Sequence, residues 1–343
     1  MSKPHKIGLA IFGLGRAGMI HIQNAVRNPR VCLKWIVEED LEKAIKIRND
    51  CFLTDSVQIV KADDSMKAFQ DKSVEVVIVC TPTAYHSDII LAALKEGKAV
   101  FCEKPIAIEE EVVRTCYAAA RECGKLLYCA LNRRYDPSMR EIYTRVKSGE
   151  IGQVRSIKTT SRDHPQPSTA FLKISGGIFH DCATHDMDMI CWIMGEAPST
   201  IVCQAHSFIP EISALNDVDQ VGIMMKFPSG AIAQIDLNRN AYYGYDQRLE
   251  VFGSKGMLQT VNQYPTSVSI NNERGLCNGA IQRSFPTRYK DSYILEFEHF
   301  LNVLQGFEAS LDVTEEQCLL VTRLAESCEE SLKSGKLINF KMD

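Results

Sequence analysis

The first half of the chain alternates short apolar runs with segments of helical periodicity. The runs are rich in branched side chains and bounded by glycine, proline or polar clusters, which is typical of strands buried on both faces. This regular alternation predicts a doubly wound parallel sheet. The predicted strands are Ile7–Phe12, Val31–Val37, Val74–Cys80, the run AVFCEKP that starts at Ala99, and Leu127–Ala130, and the later helices are 87–96 and 109–123.

After Gly149 the pattern changes to alternating polar and apolar positions. Residues 154–161 alternate as one strand, and two later segments each contain a pair of such runs, joined by the turns PSG and GSKG. Short turns between strands predict antiparallel pairing. The chain closes with two helical stretches, 293–305 and 314–334. We therefore expect an α/β protein with a nucleotide-binding domain over 1–130 and a second domain over 131–343, whose last helices can pack back on the first.

Composition excludes several classes of protein. The 343 residues are 45% hydrophobic and 24% charged, and the net charge of −4 provides no basic field for nucleic acid or anionic lipid. No apolar run approaches the roughly 18 residues of a membrane span, and the first residues do not form a signal peptide. Thirteen cysteines lack the spacing of zinc or redox motifs. Free thiols are typical of a reducing compartment, so we expect a cytoplasmic protein.

The turn after the first strand is the first candidate site. Residues 13–18 read GLGRAG, so Gly13, Gly15 and Gly18 fit G-x-G-x-x-G between a strand and a helix that stops before Pro29. These glycines permit a tight turn, the approach of a pyrophosphate and close helix packing, while the helix N-terminus attracts the phosphates. Glu38 follows the second strand, where a carboxylate can bind an adenosine ribose and repel a 2′-phosphate. This context predicts NAD binding in preference to NADP; an ordinary turn with a surface glutamate is the alternative.

The segment GGIFHDCATHDMDMICW, residues 176–192, raises three possibilities. A metal site would use some of His180, Asp181, His185, Asp186 and Asp188. Only Asp181 and His185 share a helix face at i,i+4 spacing, and a catalytic zinc needs three converging protein ligands, so we expect no metal. Alternatively, Asp181 caps or lines the first turn of a helix that runs to Met194. The third possibility is an acid/base pair.

Four motifs occur in an order that resembles the Gfo/Idh/MocA oxidoreductases. They are GLGRAG, the long segment at 76–107 that contains TPTAYH and EKP, NRRYDPSM at 132–139, and the histidine–aspartate segment at 176–192. The resemblance covers nearly the whole chain. It implies an NAD(P)-binding Rossmann domain and a C-terminal α/β domain with a large open antiparallel sheet. It also implies a homodimer or homotetramer formed through that sheet.

The chemistry of alcohol oxidation supports the acid/base possibility. A base must take the hydroxyl proton as hydride leaves the carbon, and a donor must stabilise the developing alkoxide. Histidine titrates near neutrality and suits the first role, and a lysine ammonium suits the second. The resemblance implies the same roles for His185 and Lys104 of the EKP motif, with Asp181 as the partner that orients the imidazole or binds the substrate hydroxyl.

The resemblance implies further contacts with cofactor and substrate. Arg134 can hold polyol or cofactor oxygens, although an exposed salt bridge is an equally good interpretation. Tyr293 is a weaker substrate candidate. His86 matches a T-P-x-x-x-H signature near the cofactor, although a plain histidine at a helix start is the alternative. The implied cofactor residues are Gly13, Gly15, Arg16, Ala17, Gly18, Glu38, Thr81, Pro82, His86, Glu103 and Lys104, and the implied substrate residues are Arg134, His164, Asp181, His185 and Tyr243.

Taken together, the residues predict an NAD-dependent dehydrogenase that oxidises a cyclic polyol, with myo-inositol the leading candidate because NRRYD resembles the inositol dehydrogenases. A trans-dihydrodiol or aldose dehydrogenase of the same family is the alternative enzyme. A non-catalytic regulator that senses dinucleotides is an alternative of another class. Such a regulator needs the glycine turn but not Lys104, Asp181 and His185 together, so their joint presence favours the enzyme.

Overall fold

The structure is a computed structural model that describes residues 5–342. The chain divides into two compact units. Unit 1 comprises the residues up to Leu131 together with Tyr293–Leu319, and unit 2 comprises Asn132–Ser292 together with the residues from Leu320 onward. No helix in the described part of the chain combines the length and the apolar character that crossing a membrane requires.

Unit 1 is built on a parallel sheet. Its described strands lie in the order β3 (Gln58–Val60), β2 (Val31–Val37), β1 (Ile7–Phe12), β4 (Val76–Val79), β5 (Ala99–Glu103) and β6 (Leu127–Ala130), and every neighbouring pair is parallel. The apolar runs form strands because both faces of the sheet are covered; every residue of the first and fourth strands is buried. The elements are β1 (Ile7–Phe12), α1 (Arg16–Arg27), β2 (Val31–Val37), α2 (Leu41–Asp50), β3 (Gln58–Val60), α3 (Met66–Gln70), β4 (Val76–Val79), α4 (His86–Lys95), β5 (Ala99–Glu103), α5 (Glu110–Cys123) and β6 (Leu127–Ala130).

The strand order of unit 1 reverses beside β1. This strand lies between β2 and β4, so the chain winds outward in both directions from the gap between β1 and β4. Ligands of doubly wound sheets bind beyond the carboxyl ends of the strands at such a reversal. The glycine turn follows β1 and the TPT turn follows β4, so both lie at this position.

A late segment of the chain completes the core of unit 1. The ring of Phe101 on β5 makes edge contacts with the rings of Phe297 and Phe300, at centroid distances of 5.9 and 5.5 Å. The Tyr128 hydroxyl donates to Glu296 Oε1 at 3.1 Å, which satisfies a buried polar group on β6. These contacts bury the apolar face of a helix that would otherwise expose it, and they explain why residues 293–319 belong to this unit.

Unit 2 is built on a mixed sheet. Its described strands lie in the order β12 (Met257–Thr260), β11 (Asp246–Gly253), β7 (Val154–Arg162), β10 (Ile232–Asn238), β9 (Gln220–Lys226), β8 (Thr200–His206) and β15 (Ile338–Asn339). The hairpins predicted at PSG and GSKG are present as antiparallel pairs. The elements are α6 (Pro137–Lys147), β7 (Val154–Arg162), α7 (Thr169–Leu172), α8 (Thr184–Met194), β8 (Thr200–His206), α9 (Pro210–Ser213), β9 (Gln220–Lys226), β10 (Ile232–Asn238), β11 (Asp246–Gly253), β12 (Met257–Thr260), β13 (Ser269–Asn272), β14 (Gly275–Asn278), α10 (Phe285–Arg288), α11 (Lys290–Leu304), α12 (Glu315–Ser334) and β15 (Ile338–Asn339), and the division between the units falls within α11 and α12.

One pairing in unit 2 departs from the expected antiparallel sheet. Strands β7 and β10 run parallel, from Ser156 beside Ile232 to Arg162 beside Asn238. Parallel neighbours need a long crossover, and here the connection contains α7, α8 and two other strands of the sheet. The predicted α/β class, with a doubly wound parallel sheet followed by a second sheet domain, is confirmed.

Candidate functional site

The turn between β1 and α1 has the geometry of a phosphate-binding turn. Gly13 has φ +86°, a conformation that L side chains rarely adopt, and a Cβ on Gly18 would lie 2.1 Å from the Gly13 carbonyl oxygen. By contrast, a Cβ on Gly15 would meet no heavy atom within 4 Å. Gly15 is the N-cap of α1 and makes no side-chain cap, so the first N–H groups of the helix, which begins with Arg16 and Ala17, are suited to an anion.

Glu38 lies beside this turn, directly after β2. Its carboxylate accepts hydrogen bonds from the N–H groups of Leu14 at 2.7 Å and Asp40 at 3.3 Å, and Lys43 Nζ lies 3.5 Å away. The side chain is only 13% exposed. Because a carboxylate offers about four acceptor positions, these contacts fix its orientation and leave capacity for a ribose hydroxyl.

The end of β4 supplies a further polar atom at the strand-order reversal. Thr81 Oγ1 is buried and has no hydrogen-bond partner within residues 5–342. Such an atom is usually satisfied by water or a ligand. Pro82, which follows it, is exposed. The open space before Gly15, the placed carboxylate of Glu38 and this hydroxyl together fit a bound dinucleotide.

His86 connects the turns after β4 and β5, a contact that we call the His86 bridge. Its Nε2 lies 2.9 Å from the Thr81 carbonyl oxygen, and its Nδ1 lies 2.8 Å from that of Pro105. The residue is 1% exposed, and burial lowers the pKa of the imidazole although both carbonyl groups favour its protonated form. The bridge therefore fixes the turn that carries Lys104, which is half-buried and precedes a cis peptide bond to Pro105. A direct contact of His86 or Lys104 with the cofactor stays a prediction.

Glu103, the last residue of β5, is held from α1. Its Oε1 lies 2.7 Å from Nε2 of the buried residue His21. The ring of His21 also makes an edge contact with Tyr293, at a centroid distance of 5.8 Å. Tyr293 is 6% exposed, so its side chain packs within unit 1. Its weaker candidacy as a substrate residue is untested.

Asp181 and His185 lie in unit 2 on a helical segment with an irregular start. Residues Phe179–Ala183 form a π-helical turn, and α8 follows from Thr184. The N-cap positions are Ile178 and Ala183, so Asp181 does not cap the helix; it lies in the first turn of the π-helical segment, the other position considered for it. π-Helical turns are frequent at functional sites. Both Asp181 and His185 are half-buried.

The carboxylate of Asp181 is held by an arginine that sequence analysis did not identify. Arg239, directly after β10, is 0% exposed, and its Nη1 donates to Asp181 Oδ2 at 3.0 Å. Its Nη2 donates to Asp217 Oδ2 at 3.1 Å. Burial alone would lower the pKa of this guanidinium, but Cys182 and the two carboxylates raise it. Arg239 therefore stays charged beside Asp181.

Residues 163 and 164 follow β7 near the same turn. Cys182 Sγ lies 3.6 Å from an oxygen of Asp163 and 3.6 Å from one of Asp181. Burial, and then the charge of Asp181, raise the pKa of Asp163. His164 is half-buried, and its Nδ1 has no hydrogen-bond partner in the described chain, so this nitrogen is suited to a ligand contact.

The two arginines of NRRYD lie in buried ion pairs. Arg134 is 1% exposed; its Nε and Nη2 donate to Asp188 at 2.9 and 2.5 Å, and its guanidinium lies 5.4 Å from the Trp192 ring. Arg133 Nη1 donates to Asp186 Oδ1 at 3.1 Å. The salt bridge considered for Arg134 is thus present, but it is buried instead of exposed. A contact of Arg134 with polyol or cofactor oxygens is untested.

Tyr243 lies in a polar network after β10. Its hydroxyl donates to Asp246 Oδ2 at 2.6 Å and accepts from Arg162 Nη1 at 3.0 Å. The side chain is 53% exposed, so the network fixes an accessible phenol. Burial of the hydroxyl end and the bond to Asp246 raise the pKa of Tyr243. These properties fit the predicted substrate contact, which no observation tests directly.

The described residues contain no group of three histidine, cysteine or acidic side chains arranged to hold a metal ion. Asp186 and Asp188, two of the five candidate ligands, face Arg133 and Arg134. His180 lies 3.6 Å from Glu329, a residue of α12. Independence from metal stays a prediction that chelation can test.

Both halves of the chain match known protein families. Residues 7–131 match the oxidoreductase family with an NAD-binding Rossmann fold, and residues 139–259 match the GFO/IDH/MocA C-terminal domain. A myo-inositol 2-dehydrogenase of Thermotoga maritima is 33% identical over 96% of this chain and 98% of its own length.

Two solved structures share the whole fold. A putative myo-inositol dehydrogenase from Sinorhizobium meliloti has a TM-score of 0.91 and 30% identity, over 98% of this chain and 100% of that one. A scyllo-inositol dehydrogenase from Lactobacillus casei, with bound NAD(H) and scyllo-inositol, has a TM-score of 0.88 and 25% identity, over 97% and 99%. These matches show that the chain belongs to the GFO/IDH/MocA oxidoreductase family.

Proposed function

We propose that the protein oxidises a cyclic polyol such as myo-inositol to its ketone with NAD⁺. The main observation in support is that a dinucleotide turn and an Asp181–His185 pair occur in one chain that matches a myo-inositol 2-dehydrogenase over 96% of its length. Cofactor binding is assigned to residues 1–130, and substrate binding and oligomerisation to residues 131–343.

Three side chains are assigned to the chemistry. His185 takes the hydroxyl proton of the substrate as the carbon–hydrogen bond breaks, and the carbon–oxygen bond becomes a carbonyl. The ammonium group of Lys104 stabilises the negative charge that develops on that oxygen. Asp181 orients the imidazole or accepts a hydrogen bond from the substrate. Bound NAD⁺ supplies the acceptor for the hydride.

Three other side chains are assigned to direct binding, and a fourth to an indirect role. Glu38 is assigned to the adenosine ribose, because backbone N–H groups hold its carboxylate at the glycine turn. His164 and Tyr243 are assigned to substrate hydroxyls, since one has an unsatisfied ring nitrogen and the other an accessible phenol. Arg134 is assigned only an indirect role, because Asp188 occupies two of its donors.

The decisive experiment is NADH formation by the purified protein with a panel of inositols, aldoses and trans-dihydrodiols. We expect the highest kcat/KM with an inositol. A clear preference for an aldose or a dihydrodiol supports the alternative enzymes of the same family. NADH binding without turnover of any alcohol, in either direction, would instead support a dinucleotide-sensing regulator. Full activity after exhaustive chelation is expected, since no step above uses a metal.

We also propose a homodimer or homotetramer formed through the sheet of unit 2. Met257, Phe252 and Ile232 lie in register across β12, β11, β7 and β10, with Ser156 between the last two, and they are 41–46% exposed. An exposed apolar row on a sheet commonly marks an interface. Light scattering at micromolar concentration tests this proposal, and a monomeric mass would contradict it.

A cytoplasmic location is proposed from the thiols. None of the thirteen cysteines, all of which lie in the described chain, forms a disulfide, and burial raises the pKa of Cys80 and Cys102, which suppresses their reactivity. Free thiols at this number are typical of a reducing compartment. Localisation of the native protein in cell fractions, with thiol counting after denaturation, tests this assignment.

A further inference from the structure

Arg239 is the most completely buried charged group near the proposed catalytic pair, and the roles assigned above do not use it. Its side chain is 0% exposed, yet it contacts Asp181 at 3.0 Å and Asp217 at 3.1 Å. A buried charge persists only where partners compensate the loss of hydration. The guanidinium therefore depends on these carboxylates, and the carboxylate of Asp181 depends on it.

Asp217 connects the same arginine to the start of the π-helical turn. Its Oδ1 accepts from the N–H of Ile178 at 3.2 Å, and Ile178 is the residue before that turn. The same oxygen accepts from the N–H of Val218 at 2.9 Å. Contacts thus run from Ile178 through Asp217 and Arg239 to Asp181, and the backbone of the π-helical turn joins Asp181 to Ile178. The Asp181 side chain is therefore held both by Arg239 and by its own turn.

The charges around Arg239 are unequal. Carboxylates outnumber cations in this cluster. Cys182 Sγ lies 3.6 Å from a carboxylate oxygen of Asp163, 3.6 Å from one of Asp181 and 3.5 Å from Arg239 Nη1. Arg239 lowers the pKa of Asp163, although burial and Asp181 raise it overall. The titratable and charged groups of the cluster are Asp163, Asp181, Cys182, Asp217 and Arg239. Arg133 and Tyr245 also interact electrostatically with Asp163, and His185 follows Asp181 by four residues.

We propose that Arg239 is a positioning residue that keeps the Asp181 carboxylate ionised and in one orientation during polyol oxidation. This inference rests on the proposed function of Asp181. Asp181 and Asp163 lie on either side of the Cys182 thiol. If the guanidinium is removed, the cation beside these two acids is lost, and protonation of one of them becomes more favourable. A protonated or rotated Asp181 no longer orients the imidazole or accepts a hydrogen bond in the same way.

Kinetics of Arg239→Gln and Arg239→Lys test the role in turnover. In Arg239→Gln we expect kcat to fall by about 10²-fold, the loss that a small misplacement of a catalytic group can cause, while NADH binding stays near wild type. The rising limb of the pH profile for oxidation should move to higher pH, since removal of a cation favours protonation of its neighbours. Arg239→Lys should return the limb to its original pH but restore turnover only in part, because an ammonium cannot span two carboxylates as a guanidinium does.

Arg288→Gln is the matched control. Arg288 is also buried in unit 2, but its Nη1 donates to Asp136 Oδ2, at 2.5 Å, whereas Arg239 donates to Asp181 and Asp217. Loss of this ion pair should lower the melting temperature but leave the pH profile of the folded fraction unchanged. If Arg239→Gln resembles this control, with lower stability and an unmoved pH limb, Arg239 is only structural and the proposal is wrong.

A second measurement does not require activity. NMR titration of ¹³C-labelled aspartate carboxyl groups, with Asp181→Asn for assignment, reports the ionisation of Asp181 directly. We expect this titration to move to higher pH in Arg239→Gln and to return towards wild type in Arg239→Lys. An unmoved titration would overturn the proposal even if the wild type is an active dehydrogenase. A moved titration in a protein that oxidises no polyol would support the ionisation of Asp181 by Arg239 and reject the proposed function instead.

Discussion

The glycine turn of unit 1 and the π-helical turn of unit 2 are built from different chemistry. The first depends on backbone conformation. Gly13 permits the tight turn, Gly18 permits the close approach of the helix backbone to the turn, and Gly15 leaves open space beside the helix N-terminus. In the second, side chains from four segments form one cluster, and the cation that contacts Asp181 comes from Arg239, 58 residues later. A backbone site depends on local conformation, whereas a side-chain cluster depends on correct folding of the whole unit.

This difference predicts different responses to substitution. Changes at the glycine turn should alter space and backbone conformation, and so affect NADH binding or folding. Changes at the π-helical turn should alter charge and orientation, and so affect turnover and its pH dependence. Separate measurements of NADH binding, turnover and stability distinguish these two kinds of response.

The largest effect is expected for His185→Ala. Turnover should fall by ~10²–10⁴-fold, the usual contribution of a positioned general base. In the wild type, oxidation should speed up as pH rises through the histidine titration, because only the neutral imidazole accepts a proton. That rising limb should disappear in the variant while NADH affinity stays nearly unchanged. Wild-type turnover in a variant that binds NADH normally would show that this histidine is only a helix residue.

Two glycine substitutions should separate space from conformation at the other turn. In Gly18→Ala, the new Cβ would lie 2.1 Å from a backbone oxygen, so the turn must shift; overpacking of this kind typically costs about 1–3 kcal/mol of stability. In Gly15→Ala, the Cβ enters open space and the backbone, at φ −66° and ψ −169°, suits alanine. We therefore expect normal stability but weaker NADH binding.

Thermal melting and fluorescence titration with NADH check both variants. The outcome that contradicts the phosphate-binding assignment is a Gly15→Ala protein with normal stability and unchanged NADH affinity. A Gly18→Ala protein as stable as the wild type would show that the turn relaxes without loss, and would argue against the close helix packing described here.

These contrasts explain how much could be predicted from the sequence. The parallel sheet, the glycine turn and the hairpins at PSG and GSKG follow from local patterns, and all are present. The parallel pairing of β7 with β10 was missed, because a crossover between distant strands leaves no local signal. Of the two positions considered for Asp181, as the cap or within the first turn of a helix, the structure has the second, because the π-helical turn begins before it.

The sequence of β10 contains a signal that Arg239 is buried. Along β10 the buried positions alternate, and Ala233, Ile235 and Leu237 face inward. Continued alternation places residue 239 on the same inner face, and a charged residue at an inward position requires partners. The sequence could therefore have predicted a buried ion pair here, although not that Asp181 and Asp217 form it, because those residues lie in other segments.

A smaller effect is expected from Glu38. Glu38→Ala removes the charge that should repel a 2′-phosphate, so the preference for NAD over NADP should weaken. Glu38→Gln is the sharper control, because it keeps an oxygen that can accept from Leu14 N–H while losing the charge. If charge governs the preference, both variants should lose it to a similar extent in titrations with each cofactor. Tighter binding of NADP than NAD by the wild type would reject this explanation.

The smallest effect is expected from the His86 bridge, the side-chain contact that links two turns of unit 1. Burial lowers the pKa of His86 from its ordinary value of 6.5, so the folded protein binds this proton less readily than the unfolded chain. Stability from the neutral ring should be complete above about pH 6.5 and be lost as pH falls below it, by at most about 1.4 kcal/mol per pH unit. In His86→Gln that part of the slope should be absent, as denaturant unfolding of both proteins across pH 5–8 can measure. If the wild type instead gains stability relative to the variant on acidification, the carbonyl groups of Thr81 and Pro105 outweigh burial, and the bridge is an imidazolium.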